Sequence, residues 1–125
     1  MNMNDLTTSV RQREGGIGVI EVHGVLTSDA EEKLMEAYNQ AVGSEQPVVI
    51  FNFTDMEYIN SSGIGLLITI LIRAKRKGHK LVACGLKEHF RQIFLLTRLE
   101  EAMPVFITED EAVEALRKEP TPVAK

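Results

Sequence analysis

The chain has 125 residues, of which 44% are hydrophobic and 26% charged, and its net charge is −4. This length and balance predict one globular domain with a core of its own, and the acidic charge argues against a general binder of nucleic acid. The single cysteine, Cys84, excludes an intrachain disulfide framework and a metal site built from several cysteines. A reducing, cytoplasmic location fits this cysteine usage.

The sequence predicts no membrane insertion. The first residues lack the basic segment and apolar run of a signal peptide. The longest apolar run covers residues 64–72 and is interrupted by Gly65 and Thr69. A membrane-spanning helix needs about twenty apolar residues, so this run is interpreted as a buried or partner-facing helix.

The first half of the chain predicts a hairpin and a helix. Residues 1–7 are interpreted as an N-terminal lead, and strands over 8–13 and 17–26 flank the turn residues Gly15 and Gly16. Gly24 predicts a bend or bulge in the second strand. A helix start follows at Thr27-Ser28-Asp29, and a glycine, Gly43, is placed to end the helix. The apolar residues at helical spacing are Ala30, Leu34, Ala37, Tyr38, Ala41 and Val42.

The second half alternates strands with helices. The predicted elements are strands over 48–53, 80–85 and 104–108, and helices over 62–77, 87–99 and from Thr108 to Arg117. The order ββαβαβαβα predicts an α/β domain with a mixed, mostly parallel sheet and an antiparallel first strand. We expect this domain to cover residues 8–117, and residues 118–125 to form a flexible tail.

Between the third strand and its helix lies a polar segment, Asn60-Ser61-Ser62-Gly63, which we call the hinge. In α/β sheets, ligands bind outside the carboxyl ends of strands, where helices begin. The free amides of a first helical turn attract an anion, or a phosphate carried by one of the two serines. The alternative is that a serine only caps the helix, which contributes about 1 kcal/mol.

The helix after the hinge carries more apolar residues than one buried stripe needs. The predicted core stripe is Ile64, Leu67, Ile68, Leu71 and Ala74. Leu66, Ile70 and Ile72 are then left over beside the serines. They form either an exposed apolar patch of the kind that marks a protein contact or a surface buried by flanking helices.

These features together resemble the STAS domain family, which includes bacterial anti-sigma factor antagonists. The resemblance rests on the element order, the Asn-Ser-Ser-Gly-Ile-Gly motif and the segments at 78–85 and 90–99, Gly-His-Lys-Leu-Val-Ala-Cys-Gly and Phe-Arg-Gln-Ile-Phe-Leu-Leu-Thr-Arg-Leu. It covers residues 8–117 and implies a mixed sheet with helices packed largely on one side.

The resemblance also implies a function. In the antagonists, the first serine of the motif Asp-Ser-Ser/Thr-Gly is phosphorylated by an anti-sigma factor that is also a serine kinase. The unphosphorylated antagonist binds this kinase and frees its sigma factor, and the phosphate breaks the complex. The matching serine is Ser61, and no cofactor is implied. Together with the surplus apolar residues, the expected partner surface consists of Asn60, Ser61, Ser62, Gly63, Leu66 and Ile70.

One position departs from the family pattern. Asn60 stands where the family usually has an acidic residue, so the size and hydrogen-bonding reach remain while the charge is lost. This departure favours the alternative function of a STAS scaffold that is not phosphorylated. Such a protein would bind other STAS proteins in a stress-signalling assembly or serve as an accessory subunit of a transporter complex.

The sequence offers little support for an enzyme. The histidines His23, His79 and His89 are widely separated and lack the spacing of metal ligands. Cys84 lies in an apolar strand, which is typical of an inert core cysteine, and Ser61 has no neighbouring histidine to activate it. Neither phosphate-loop pattern occurs. We therefore predict no catalytic residues and no metal site.

Overall fold

A computed structural model describes residues 5–42 and 48–118 of the chain. The strands in these residues are β1 (Leu6–Arg13), β2 (Ile17–Leu26), β3 (Val48–Ile59), β4 (Lys80–Cys84) and β5 (Val105–Phe106). The helices are α1 (Glu31–Val42), α2 (Ser61–Arg76), α3 (Glu88–Leu96), α4 (Leu99–Ala102) and α5 (Glu109–Lys118). A single 3₁₀ turn, Ser28–Ala30, leads into α1.

The strands form a sheet in the order β1-β2-β3-β4-β5. β1 pairs with β2 in antiparallel orientation, and the pairs from β2 to β5 are parallel. The prediction of a mixed, mostly parallel sheet with an antiparallel first strand is therefore confirmed. The short helix α4 is an addition to the predicted order.

The sheet carries a core on each face. The larger core packs α1, α2, α3 and α4 against residues such as Phe51 and Phe53. On the other face, Ala112 and Val113 of α5 pack against a smaller group that includes Ile50. Helices thus lie largely on one side of the sheet, as expected, and α5 covers part of the other.

Several boundaries differ from the predictions. β1 begins at Leu6, within the predicted lead, and β3 continues past residue 53 to Ile59. β3 extends because β2 keeps pairing with it through two register shifts, one of them beside Gly24, whose φ is +93°. Arg98 takes a left-handed conformation, φ 63°, and so divides the predicted helix 87–99 into α3 and α4. Gly43 and residues 119–125 lie outside the described part of the chain.

Helix α2 is turned differently from the prediction. Its buried residues are Gly63, Leu66, Leu67, Ile70 and Ala74. Ile68, which we placed in the core, is 40% exposed, whereas Leu66 and Ile70 are 7% and 1% exposed. Leu67 and Ala74 of the predicted stripe are buried, and Ile64 and Leu71 pack against the core, so the prediction was wrong for Ile68 alone. It missed Leu66 and Ile70 because α2 is apolar around much of its circumference, and spacing alone does not determine which side faces the sheet.

Candidate functional site

The hinge lies at the carboxyl ends of two neighbouring strands. Asn60 follows the last residue of β3, and its backbone amide donates a hydrogen bond of 3.3 Å to the carbonyl of Leu26 at the end of β2. Gly63 packs so closely here that a methyl group in its place would overlap the same carbonyl oxygen. The missing side chain at Gly63 therefore allows the start of α2 to sit directly against the end of β2.

Asn60 is the N-cap of α2. Its backbone is extended, with φ −113° and ψ −177°, and its side-chain oxygen accepts the amide of Gly63 at 2.9 Å. The same oxygen accepts the hydroxyl of Ser62 at 2.8 Å, and the backbone carbonyl of Asn60 accepts the amide of Ile64. An asparagine oxygen thus makes the cap, which was one of the roles considered for the serines.

The Ser62 hydroxyl is engaged on both sides. It donates to Asn60 and accepts the backbone amide of Ser28 at 3.0 Å. Ser28 opens the 3₁₀ turn, in which the Thr27 hydroxyl accepts the amide of Asp29. Ser62 therefore ties the loop after β2 to the start of α2.

The Ser61 hydroxyl is different. Ser61 is the first residue of α2, its side chain is exposed, and its hydroxyl makes no hydrogen bond with any residue in the described part of the chain. The backbone amides of Ser61 and Ser62 likewise have no acceptor among the described residues, and the first turn of α2 contains no acidic side chain. The site combines an accessible hydroxyl with donors that favour negative charge.

An acidic cleft opens beside the hinge, and we call it the hinge cleft. It has a volume of about 590 Å³, and its lining includes the carboxylates of Asp5, Asp29 and Glu57. Lys33 also lines it, with its ammonium group bonded to the carbonyl of Leu6 at 3.0 Å. Tyr58 is 52% exposed at this cleft. Among the described residues of the lining, three carboxylates against one lysine give the cleft a negative field that suits cationic groups.

The structure brings Asn60, Ser61, Ser62 and Gly63 together at the hinge, as the sequence requires. It does not place Leu66 and Ile70 on the surface with them, because both pack into the core between α2 and the sheet. The expectation that these two side chains are exposed for contact is corrected, and their role at the site is to hold α2 in place.

The other candidate groups lie elsewhere. His23 contacts Glu21 and Asp55 at 3.4 and 3.2 Å, and Nδ1 of His79 shares a hydrogen bond of 2.6 Å with the Tyr38 hydroxyl. Burial raises the pKa of the Cys84 thiol to about 12, which keeps it protonated. Among residues 5–42 and 48–118, no group of three or more histidine, cysteine or acidic side chains is placed to hold a metal ion.

An ion cluster on the opposite face was not predicted. The Glu109 carboxylate at the start of α5 accepts hydrogen bonds from Arg11, Arg13 and Asn52 at 2.7–3.1 Å. The hydrogen bond from Arg11 is the main cause that lowers the pKa of Glu109 to about 2. The cluster fastens α5 to β1 and β3. Sequence reasoning missed it because its members are far apart in the chain and only the sheet register unites them.

The helices in the described residues are too short or too polar to cross a membrane. The model of the STAS domain family matches residues 9–112. The chain belongs to the STAS domain family. This confirms the resemblance carried by the hinge motif and the element order.

Relatives of this STAS domain include named regulators. BtrV of Bordetella bronchiseptica, named as an anti-sigma factor antagonist, is 24% identical over 102 residues, which cover 82% of this chain and 88% of BtrV. An anti-sigma factor antagonist from Mycobacterium paratuberculosis is 25% identical with a TM-score of 0.72, covering 92% of this chain and 97% of that one. The unphosphorylated antagonist SpoIIAA has the same fold, with a TM-score of 0.72 at 21% identity over 92% of this chain and all of its own. SpoIIAA is also solved in a phosphorylated form.

Proposed function

We propose that this STAS domain is an anti-sigma factor antagonist that binds an anti-sigma factor of the serine-kinase type and is switched by phosphorylation of Ser61. The observation that carries the proposal is the contrast between the two hinge serines. Ser62 uses its hydroxyl in two hydrogen bonds that hold the hinge together, whereas the Ser61 hydroxyl is exposed and unengaged within the described residues. A kinase can modify Ser61 without first breaking a bond of the fold.

A phosphate on Ser61 would be stabilised and would change the surface. It carries about −1.5 to −2 charges at neutral pH, and the positive end of α2 favours such a group. The neutral Asn60 cap and the absence of acids in the first turn of α2 leave that helix end without a negative side chain of its own. The phosphate is also bulkier than a hydroxyl and loses hydration when it is covered, so it disrupts a contact surface shaped for the free hydroxyl.

The contact surface in this proposal consists of the hinge and the hinge cleft. Asn60, Ser61, Ser62 and the backbone of Gly63 would meet the anti-sigma factor, and the cleft beside them would accept basic side chains of that partner. Leu66 and Ile70 would act from below by fixing the position of α2. The names of BtrV and the mycobacterial antagonist support an anti-sigma factor as the kind of partner.

Asn60 is the observation that favours a second candidate function, that of a scaffold. A STAS scaffold that is never phosphorylated needs no carboxylate beside the serine, and Asn60 provides none. The capping bonds of Asn60 oppose this inference, because a carboxylate oxygen at that position would accept the same two donors. Loss of the acidic residue therefore removes charge from the hinge without removing its geometry.

The test is binding to each serine-kinase anti-sigma factor of the host, purified singly, by calorimetry. We expect one kinase to bind the unmodified domain, Ser61→Ala to bind with similar affinity, and Ser61→Asp to bind at least about tenfold more weakly. Equal affinities for all three proteins would contradict the switch. Failure of every kinase to bind, together with a large stable assembly in host extract, would favour the scaffold.

A further inference from the structure

Away from the hinge, the far half of α2 forms one wall of an apolar groove. The groove has a volume of about 660 Å³ and lies between α2 and the corner where α3 turns into α4. Leu71, Leu99 and Pro104 are among its lining residues, and Ile68 and Ile72 stand at its edge with 40% and 50% of their surface exposed. We call this feature the α2–α4 groove.

The two isoleucines face outwards as a pair. Ile68 and Ile72 are four residues apart on α2, so their side chains are neighbours on one side of the helix. Neither belongs to the buried core, and their exposure leaves apolar area in contact with water. An apolar strip along one helix, bordered by a second helix across a groove, matches the mode in which a third amphipathic helix packs between them.

The charged residues around the α2–α4 groove indicate which kind of helix would bind there. No acidic residue occurs between Glu57 and Glu88, although the chain as a whole has a net charge of −4. Lys75 and Arg98 line the groove, and the one acidic residue among its described lining residues, Glu101, pairs with Arg98 at 2.9 Å. The groove therefore has an apolar floor and a positive border within an acidic protein.

We propose that the α2–α4 groove docks an amphipathic helix of a partner protein whose apolar stripe is flanked by acidic residues. A symmetric contact between two copies of this chain is disfavoured, because it would bring the basic borders of both grooves together. Ile72 lies eleven residues beyond Ser61, about 16 Å along α2. A partner at the hinge and a helix in the groove can therefore bind the same molecule through separate surfaces.

The probes are two synthetic helical peptides of about 18 residues with the same leucine stripe. One carries glutamates beside the stripe and the other carries lysines. Titration into the ¹⁵N-labelled protein is followed by amide chemical shifts. We expect the acidic peptide to perturb amides around Ile68, Ile72 and Ala102, and to bind at least about fivefold more tightly than the basic peptide.

Two variants separate the contribution of apolar contacts to peptide affinity from the contribution of charge. Ile72→Asp should abolish binding of the acidic peptide. Lys75→Glu should weaken the acidic peptide and strengthen the basic one, a reversal that general damage to the fold cannot produce. Both positions are exposed, so the amide spectrum of each variant should remain that of a folded protein.

Several results would overturn the proposal. They are equal affinity for the two peptides, shifts located away from the groove, no shifts at about 1 mM peptide, or self-association of the protein that Ile72→Asp removes. The proposal does not depend on phosphorylation, and Ser61→Asp should bind the acidic peptide as the unchanged protein does. Peptide binding by Ser61→Asp therefore tests the groove independently of the proposed phosphorylation switch at the hinge.

Discussion

Helices α2 and α5 both begin at a carboxyl edge of the sheet, but their first turns differ in charge. At α5, the Thr108 hydroxyl accepts the amide of Glu111, and three acids, Glu109, Asp110 and Glu111, occupy the first turn. At α2, the neutral side chain of Asn60 makes the cap, and the first turn contains no acid. Both arrangements are good helix starts, yet only α5 supplies its own negative charge.

The difference distinguishes a helix start whose charge is used within the fold from a helix start that is open to an added anion. The Glu109 carboxylate is 13% exposed and accepts hydrogen bonds from Arg11, Arg13 and Asn52. These hydrogen bonds join α5 to the sheet. The first turn of α2 holds backbone amides that have no acceptor within residues 5–42 and 48–118, together with the exposed hydroxyl of Ser61. A helix end already occupied by carboxylates repels a further anion, whereas the end of α2 can receive one.

The largest effect should come from Gly63, which sets the position of the α2 start. Gly63→Ala should lower the free energy of unfolding by about 3 kcal/mol or more, because the added methyl group overlaps the Leu26 carbonyl, which belongs to the backbone and cannot turn aside. Chemical denaturation measures this change. The matched control is Gly65→Ala, where nothing lies within 4 Å, and it should stabilise by about 0.5–1 kcal/mol. Similar stability of the two variants would disprove the close approach.

Removing the charge at the start of α5 should have the next largest effect. Glu109→Gln should lower the free energy of unfolding at pH 7 by about 2 kcal/mol. The pKa of Glu109 is depressed to about 2 from an ordinary value of 4.5, so its stabilisation is present above pH 4.5 and is lost as the pH falls towards 2. Denaturation series from pH 7 to 2 should therefore show a shallower acid loss in the variant. Asp110→Asn, at a side chain 86% exposed, should change stability by less than about 0.5 kcal/mol.

The two hinge serines should respond unequally to the same substitution. Ser62→Ala removes the hydrogen bonds to Asn60 and Ser28 and should destabilise by about 1 kcal/mol. Ser61→Ala removes no hydrogen bond within the described residues and should stay within about 0.5 kcal/mol of the unchanged protein. Equal losses in thermal and chemical unfolding would show that Ser61 is also part of the fold.

The smallest effect should come from giving α2 the charge that it lacks. Asn60→Asp should add about 0.5 kcal/mol of stability at pH 7, because a carboxylate cap accepts the same donors and interacts favourably with the helix end. The pKa of the new carboxyl should be depressed in the folded protein, so the gain should vanish as the pH falls below about 4. A stability difference that is independent of pH would contradict this explanation.

The sequence predicted the elements best where one physical signal dominated. All six residues of the predicted α1 stripe, from Ala30 to Val42, are buried, because that helix has one apolar face and one polar face. α2 is apolar over a wider arc, which leaves more than one side able to face the sheet, and the close approach of Gly63 to β2 is a contact that no periodicity shows. The break at Arg98 was equally hidden, because a left-handed residue that is not glycine leaves no sequence signal.

The hinge could be located from the sequence, but its hydrogen bonds could not. The order of strand and helix places Asn60 to Gly63 at a sheet edge. Which side chain caps α2 depends on the backbone conformation of Asn60 and on the approach of Ser28 from a loop 34 residues away. That contact decides which serine is engaged, so the assignment of distinct roles to Ser61 and Ser62 required the fold.

The most direct test of these roles is mapping of the phosphate after incubation with ATP and the serine-kinase anti-sigma factor that binds the domain. We expect one phosphoryl group on Ser61 in the unchanged protein and in Ser62→Ala, and none in Ser61→Ala, as read by mass spectrometry of the intact protein and its peptides. Phosphate on Ser62, or continued phosphorylation of Ser61→Ala, would contradict the proposal that Ser61 is the switch and Ser62 a structural residue.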